Sequence, residues 1–144
     1  MLPKDSDIRD VLTRARTIAI VGLSDKPDRD SNEVARYLQS QGYRVIPVNP
    51  AVPEILGERS YPSLSAIPRE IRVDVADVFR RSDQMHAIAA EAVRRGIRVL
   101  WMQLGIDNAE AASLIREAGG MAFENSCIMT QHRRLGLPAV GPAR

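Results

Sequence analysis

The residues best suited to chemistry lie in "TIAIVGLSDKPDRDSNEVARYL", Thr17 to Leu38, where an apolar stretch gives way to Gly22-Leu23-Ser24-Asp25-Lys26 and then to a helix-like pattern. Gly22 lets a backbone approach phosphate oxygens, Ser24 can donate a hydroxyl hydrogen bond, and a helix opening near Asp30 aims free N–H groups at the same space. Phosphate binding is the chemistry these types and spacings suit. The dinucleotide fingerprint G-x-G-x-x-G is not met, because Ser24 and Pro27 stand where its second and third glycines belong. The next apolar run ends "VIPVNP", so Asn49 occupies the place of the carboxylate that would hold a ribose. An ordinary NAD site is disfavoured on both counts. A ligand with more phosphate charge suits Lys26, Arg29 and the neighbouring Arg80 and Arg81.

Catalytic constellations are harder to find. His86 falls in a helical pattern with Met85 and Ile88 and is expected at the surface; His132, in "QHRR", is expected near the tail with a local partner. Cys127 is the one cysteine, which excludes an intramolecular disulfide and any multi-cysteine metal site. Placed between a strand and a helix, its thiol is positioned to ionise more readily than usual, although a small buried apolar residue is the commoner role for free cysteine. Asp74 and Asp77, three apart in a strand, point to opposite faces and are expected as strand-edge or ion-pair residues rather than a catalytic dyad. Metal-ligand spacing is absent.

The elements that must position these residues alternate between strand and helix. "DSDIRDVLTRA", starting at Asp5 or Ser6 behind a polar cap, places Ile8, Val11, Leu12 and Ala15 on one helical face. "TIAIVGL" reads as a strand covered on both faces. "DRDSNEVARYLQSQG" reads as a helix with Asp30 and Glu33 as a capping pair, Val34, Tyr37 and Leu38 as its stripe and Gly42 as its stop. "YRVIPVNP" and "RVDVADVF" read as strands two and three, separated by a loop with a short turn at Ser63 to Ile67. Ser82 is expected to cap the helix carrying Met85, Ile88, Ala89, Ala92 and Val93, which ends at Gly96. "IRVLWMQ" is strand four, Asp107 and Glu110 open a helix closed by Gly119 and Gly120, "MAFE" is strand five, and "SCIMTQHRRL" is a last helix. This alternation predicts an α/β fold: a single Rossmann-like, doubly wound parallel sheet of about five strands.

In such sheets ligands bind beyond the carboxyl ends of the strands. That rule nominates Gly22, Leu23, Ser24, Asp25 and Lys26 after strand one; Asn49 and Pro50 after strand two; Arg80 and Arg81 after strand three; Gln103, Leu104 and Gly105 after strand four; and Asn125, Ser126 and Cys127 after strand five.

Composition bounds what such a domain can do. A chain of 144 residues supports one core, and aromatics at 4% leave too few rings for stacking platforms on single-stranded nucleic acid. The net charge of +2 comes from 20 basic residues scattered among 18 acidic ones, which is not a nucleic-acid footprint. No run approaches the roughly 18 apolar residues of a membrane span, and "MLPKDSDIRDVL" carries early charges, so a cytoplasmic location is expected. Residues 1–144 are read as one domain with 136–144, rich in Pro and Gly, as a flexible tail that packs down if anything holds it.

Six segments, "IAIVGLSDKPDRDSNEVARYL", "GYRVIPVNP", "ILGERSYPSL", "VDVADVFRR", "VLWMQLGI" and "NSCIMTQHRRL", together resemble the small CoA-binding proteins, whose domain is similar to the N-terminal domain of the succinyl-CoA synthetase α subunit. The resemblance runs from about Thr17 to Leu135. It implies binding of coenzyme A or an acyl-CoA, with Gly22, Leu23, Ser24 and Lys26 at the phosphates or pantetheine, Asn49 and Pro50 beside the nucleotide, and Gln103, Leu104 and Gly105 lining the crevice. Arg80 and Arg81 are added as phosphate partners from their position alone. Cys127 would then stand near the cofactor thiol. The family commonly shows Asp-Arg-Cys where this chain has Asn125-Ser126-Cys127, so no role is carried over to that acidic and basic pair. The synthetase's phosphohistidine domain has no room here, and a binding module without catalysis is expected, with a homodimer expected by analogy. The alternatives are an NAD(P)-dependent oxidoreductase and a regulatory domain that docks a partner through "QHRRLGLPAV".

Overall fold

A computed structural model describes residues 3–141. Its centre is a parallel sheet of five strands: β1 (Thr17–Val21), β2 (Arg44–Val48), β5 (Val75–Val78), β6 (Val99–Met102) and β7 (Met121–Phe123), in the order β2-β1-β5-β6-β7. The chain therefore builds outward from β1 in one direction and then reverses to build in the other, the expected Rossmann-like arrangement. A two-stranded antiparallel hairpin, β3 (Glu54–Ile55) and β4 (Glu58–Arg59), lies in the connection after β2. The helices are α1 (Asp5–Arg14), α2 (Asp30–Ser40), α3 (Met85–Arg95), α4 (Ala109–Glu117) and α5 (Ile128–Arg134).

Strand alternation divides the core in two. Ile18, Ile20, Val45, Val75, Trp101 and Phe123 face one layer, where they meet Leu12 of α1, Val34 and Leu38 of α2, and Ile128 of α5. Ala19, Ile46, Ala76, Val78, Leu100 and Ala122 face the other, against Met85, Ala89 and Ala92 of α3 and Ala111, Ala112 and Ile115 of α4. Alanines on both the sheet and the helices of this second layer allow close approach, so its packing depends on shape rather than bulk. Trp101 anchors the first layer: fully buried, it stacks on Phe123 at 4.1 Å between ring centroids and donates its indole N–H to the Ser126 carbonyl at 2.9 Å. Tyr43 ties β2 to α1 by donating to the Leu12 carbonyl, and burial pushes its hydroxyl up to about 12. Pro47 sits in β2, an edge strand of this sheet, where a missing donor is tolerated.

Several local expectations are corrected. Helix α1 starts at Asp5 as expected, but the residue ahead of it is Lys4, whose N–H donates to the Asp7 carboxylate at 2.8 Å. Arg29 precedes α2 without a side-chain capping bond, and the Asp30–Glu33 pair does not cap that helix. Ser82 lies in a 3-10 turn, Ser82–Gln84, and its hydroxyl instead accepts the Asp107 N–H at 3.3 Å. Asn108, not Asp107, caps α4 by accepting the Ala111 N–H at 3.0 Å. Asn108→Ala should therefore cost about 1 kcal/mol, read as a lower chemical-denaturation midpoint. The hairpin escaped the sequence reading because its strands are two residues long and its turn uses Leu56 and Gly57, both at positive φ (53° and 80°).

The C-terminal segment packs onto the α2–β2 junction. Leu137 is buried, and the Val140 N–H donates to the Gln41 carbonyl at 2.8 Å. The part of the expected tail at 142–144 lies outside the described residues.

Candidate functional site

The strand order puts a switch point between β1 and β5, and the turns leaving these two strands meet there. Gly22 has φ +88°, and a Cβ on it would lie 2.6 Å from the Phe79 carbonyl oxygen and 3.3 Å from the Arg80 Nε. Both backbones are pinned: the Gly22 N–H bonds to Val48 at 2.9 Å and the Phe79 N–H to Val21 at 2.8 Å. The glycine is thus required by close approach of two chain segments as well as by its dihedral angle.

Two depressions share this junction. One, about 330 Å³, is lined by Gly22, Ser24, Asp28, Arg29, Ser31 and Phe79. The other, about 280 Å³, is lined by Glu33, Val34, Gln103, Leu104, Cys127 and Thr130. Phe79 and Asp30 belong to both, which makes them two ends of one crevice at the carboxyl edge of the sheet. The first end is polar. The second has an apolar wall to which Ile106 and Met129 also contribute.

The structure gathers some nominated residues and sends others elsewhere. Gly22 and Ser24 line the first end, Gln103 and Leu104 the second, and Arg80 reaches over Gly22. Leu23 is fully buried and offers only its backbone, whose carbonyl accepts the Asn49 amide at 2.9 Å. Asn49 also accepts the Ala51 N–H at 2.8 Å, so its side chain stitches the turns after β1 and β2 together. Pro50 and Lys26 are exposed, the Lys26 N–H donating to the Ser24 hydroxyl at 3.1 Å. Arg81 is exposed and pairs with Asp83 at 3.4 Å. Gly105 donates its N–H to Asn125 at 2.7 Å, while Leu104, 66% exposed, stands at the rim. The loop is pre-ordered: Ser31 accepts the Ser24 N–H at 3.0 Å, and Asn32 donates to the Ser24 carbonyl at 2.9 Å.

Phe79, Asp30 and Thr130 were missed by the sequence reading. Phe79 looked like the end of a strand, and only the meeting of two turns makes it a wall. His86 is exposed, as expected. His132 is not a tail residue with a local partner: it is 1% exposed, and its Nδ1 lies 2.6 Å from the Tyr37 hydroxyl on α2. Burial holds its imidazole below the usual value, against the nearby Pro138 carbonyl, although Nε2 makes no well-formed hydrogen bond among the described residues.

Asp74 accepts the Arg16 and Thr17 N–H groups at 2.9 and 3.0 Å and pairs with Arg72, as an ion-pair residue should. Asp77 overturns that expectation. It is fully buried, neither oxygen has a partner among the described residues, and burial, followed by the nearby Cys127, pushes its carboxyl well above the usual range. Cys127 shows the opposite sign. Burial raises its thiol, but the Thr130 hydroxyl and N–H, the Gln103 side chain and the Met129 N–H outweigh burial and leave it below the usual value. The thiol closes no capping bond of its own in this conformation, so these donors act on the anion once it forms. Among the described residues no cluster of three potential metal ligands occurs, and no helix is long and apolar enough to cross a membrane.

A family model described as a CoA binding domain matches residues 16–133. Uncharacterized protein YneT of Bacillus subtilis (strain 168) is 40% identical over 130 residues, covering 90% of this chain and 95% of that protein. A hypothetical protein from Pyrococcus horikoshii OT3 has a solved structure with a TM-score of 0.87 at 41% identity, covering 92% of each chain. The dinucleotide forming acetyl-coenzyme A synthetase 1 of Ca. Korarchaeum cryptofilum, solved in complex with phosphate and ADP, gives a TM-score of 0.68 at 25% identity; the match covers 78% of this chain but only 26% of that one.

Proposed function

Because this chain belongs to the CoA binding domain family, we propose that it binds coenzyme A or an acyl-CoA, without catalysis of its own, in the crevice at the carboxyl ends of β1, β5 and β6. The observation that carries this reading is the junction at Gly22, where a bare backbone and the opening of α2 line one polar hollow and the Arg80 guanidinium lies against the same glycine. Unpaired N–H groups at the start of a helix favour anions, and Arg80 adds a charge-assisted donor. The Asp28 and Asp30 carboxylates in the same wall oppose phosphates, so Arg29 and Arg80 must supply the offsetting charge. The apolar end past Phe79, with Leu104 and Ile106, then receives pantetheine and any acyl group.

A thermal-shift panel tests this. A ligand at about one hundred times its Kd stabilises the native state by about 2.7 kcal/mol. Coenzyme A should raise the melting temperature more than dephospho-coenzyme A does, and NAD least. Arg80→Ala should weaken coenzyme A about tenfold, the equivalent of about 1.4 kcal/mol. Equal shifts with all three ligands, or none with coenzyme A, would remove the proposal.

A further inference from the structure

Packing leaves the Asp77 carboxyl unexplained. It sits in mid-sheet, in register with Ile20 of β1 and Trp101 of β6, fully buried and without a hydrogen-bond partner among the described residues. Desolvating an unpaired carboxylate is costly, and an apolar side chain of similar size would serve the core better. Orphaned buried groups of this kind mark functional sites. The titratable neighbour of Asp77 is Cys127, which packs on the same face of the sheet and, 7% exposed, opens into the apolar end of the crevice. Cys127 lines the crevice, and the buried carboxyl that its charge disfavours is unsatisfied among the described residues.

We propose that Cys127 is a thiol-exchange site, taking up coenzyme A as a mixed disulfide from a disulfide of coenzyme A bound in the crevice. This rests on the coenzyme A reading above, with the pantetheine end directed past Phe79. In the step, the Cys127 thiolate attacks one sulfur of the ligand disulfide. The new bond to Sγ forms as the old S–S bond breaks, and the electron pair leaves on the departing coenzyme A thiolate, which takes a proton from water. Cys127 is oxidised and the departing sulfur is reduced, so the ligand itself is the oxidant. Attack by a second free thiol on the mixed disulfide reverses the step.

The surroundings favour the anion on sulfur. Thr130, Gln103 and the Met129 N–H favour the thiolate of Cys127, whereas Asp77 has no partner among the described residues. The other charged groups facing the thiol across the crevice are Asp30 and Glu33 of α2, while the residues facing it from β6 and α5 are neutral. Asp77 is a positioning residue in this scheme. Charge on Cys127 opposes ionisation of this carboxyl, and charge on the carboxyl opposes the thiolate in turn. Removing the carboxyl by Asp77→Asn takes that repulsion away, so the pH midpoint of adduct formation should move down.

The test uses the reduced full chain and intact mass spectrometry. Incubation with coenzyme A disulfide should add one coenzyme A less two hydrogens per chain, at least about tenfold faster than oxidised glutathione at equal concentration adds glutathione, because the crevice raises the local concentration of the former. Thermal shift with reduced coenzyme A, run alongside, reads binding without exchange. A shift with no adduct would overturn the exchange site and leave the binding reading intact; neither shift nor adduct would overturn both. Equal rates with the two disulfides would mean a merely accessible thiol and would also sink the proposal. An unchanged pH midpoint in Asp77→Asn, measured on the same reaction, would remove Asp77 from it.

Discussion

Asp77→Asn is expected to stabilise this protein, by an amount that grows with pH. The sign follows from the direction of the shift. An unfolded Asp77 loses its proton near 3.8, whereas the folded carboxyl, desolvated and beside Cys127, holds its proton well above that value. Below 3.8 both states are protonated and the group is neutral to stability apart from its lost hydrogen bond. Above it, the folded state carries a proton that the unfolded state does not, and the folded protein loses about 1.4 kcal/mol per pH unit for as long as that difference lasts. Asparagine has the same shape and no titration, so its advantage should widen over the same window. Urea unfolding of both proteins at two pH values above 3.8 checks it. Parallel stability curves would mean that Asp77 is ionised in the fold and has a partner that the structure does not reveal.

The second large effect is expected at Gly22. Its Cβ position lies 2.6 Å from a backbone oxygen, closer than real Cβ atoms come, and φ +88° strains any L side chain. Neither segment can retreat cheaply, because each is held in the sheet ladder through Val48 and Val21. Gly22→Ala should cost about 2–3 kcal/mol. It should also weaken coenzyme A by more than tenfold, because the floor of the crevice moves with the displaced turn. Gly57→Ala is the control. Gly57 has φ +80° with nothing within 4 Å of its Cβ position, so it isolates dihedral strain at about 1 kcal/mol and lies in the hairpin, away from the ligand. Melting temperature and calorimetric titration separate the two losses. If Gly22→Ala behaves like Gly57→Ala in both, the close approach at the switch point is not what the site depends on.

Much of this was legible along the chain. The β-branched run at Thr17–Val21 has the composition of a strand covered on both sides, and all five of its residues are buried. Gly22 and Gly96 were readable as a turn and a helix stop, and both have positive φ. The helix stripes were readable at Val34 and Leu38, both buried, but less so at Val93, which is 36% exposed. Capping was less legible. Asp30, Ser82 and Asp107 are good cap types by composition, and the chain uses Arg29, Gln84 and Asn108 ahead of α2, α3 and α4 instead. A cap depends on one residue's dihedrals and on one hydrogen bond, and tertiary packing shifts a helix start by a residue at little cost.

What the sequence by itself determined is the set of elements and their apolar faces, because burial imprints a period of two or about 3.6 on the residues that carry it. It also fixed which strand ends carry polar residues, and hence which edge of the sheet could hold a ligand. Only the tertiary structure decided which of those ends meet. Strand order brought Phe79 against Gly22, packing of α5 on α2 gave His132 its Tyr37 partner, and burial between β1 and β6 left Asp77 without a partner among the described residues. The reason is that a side chain's period reports whether it is inside, while its chemistry depends on which other segments share that interior, and those lie far away along the chain.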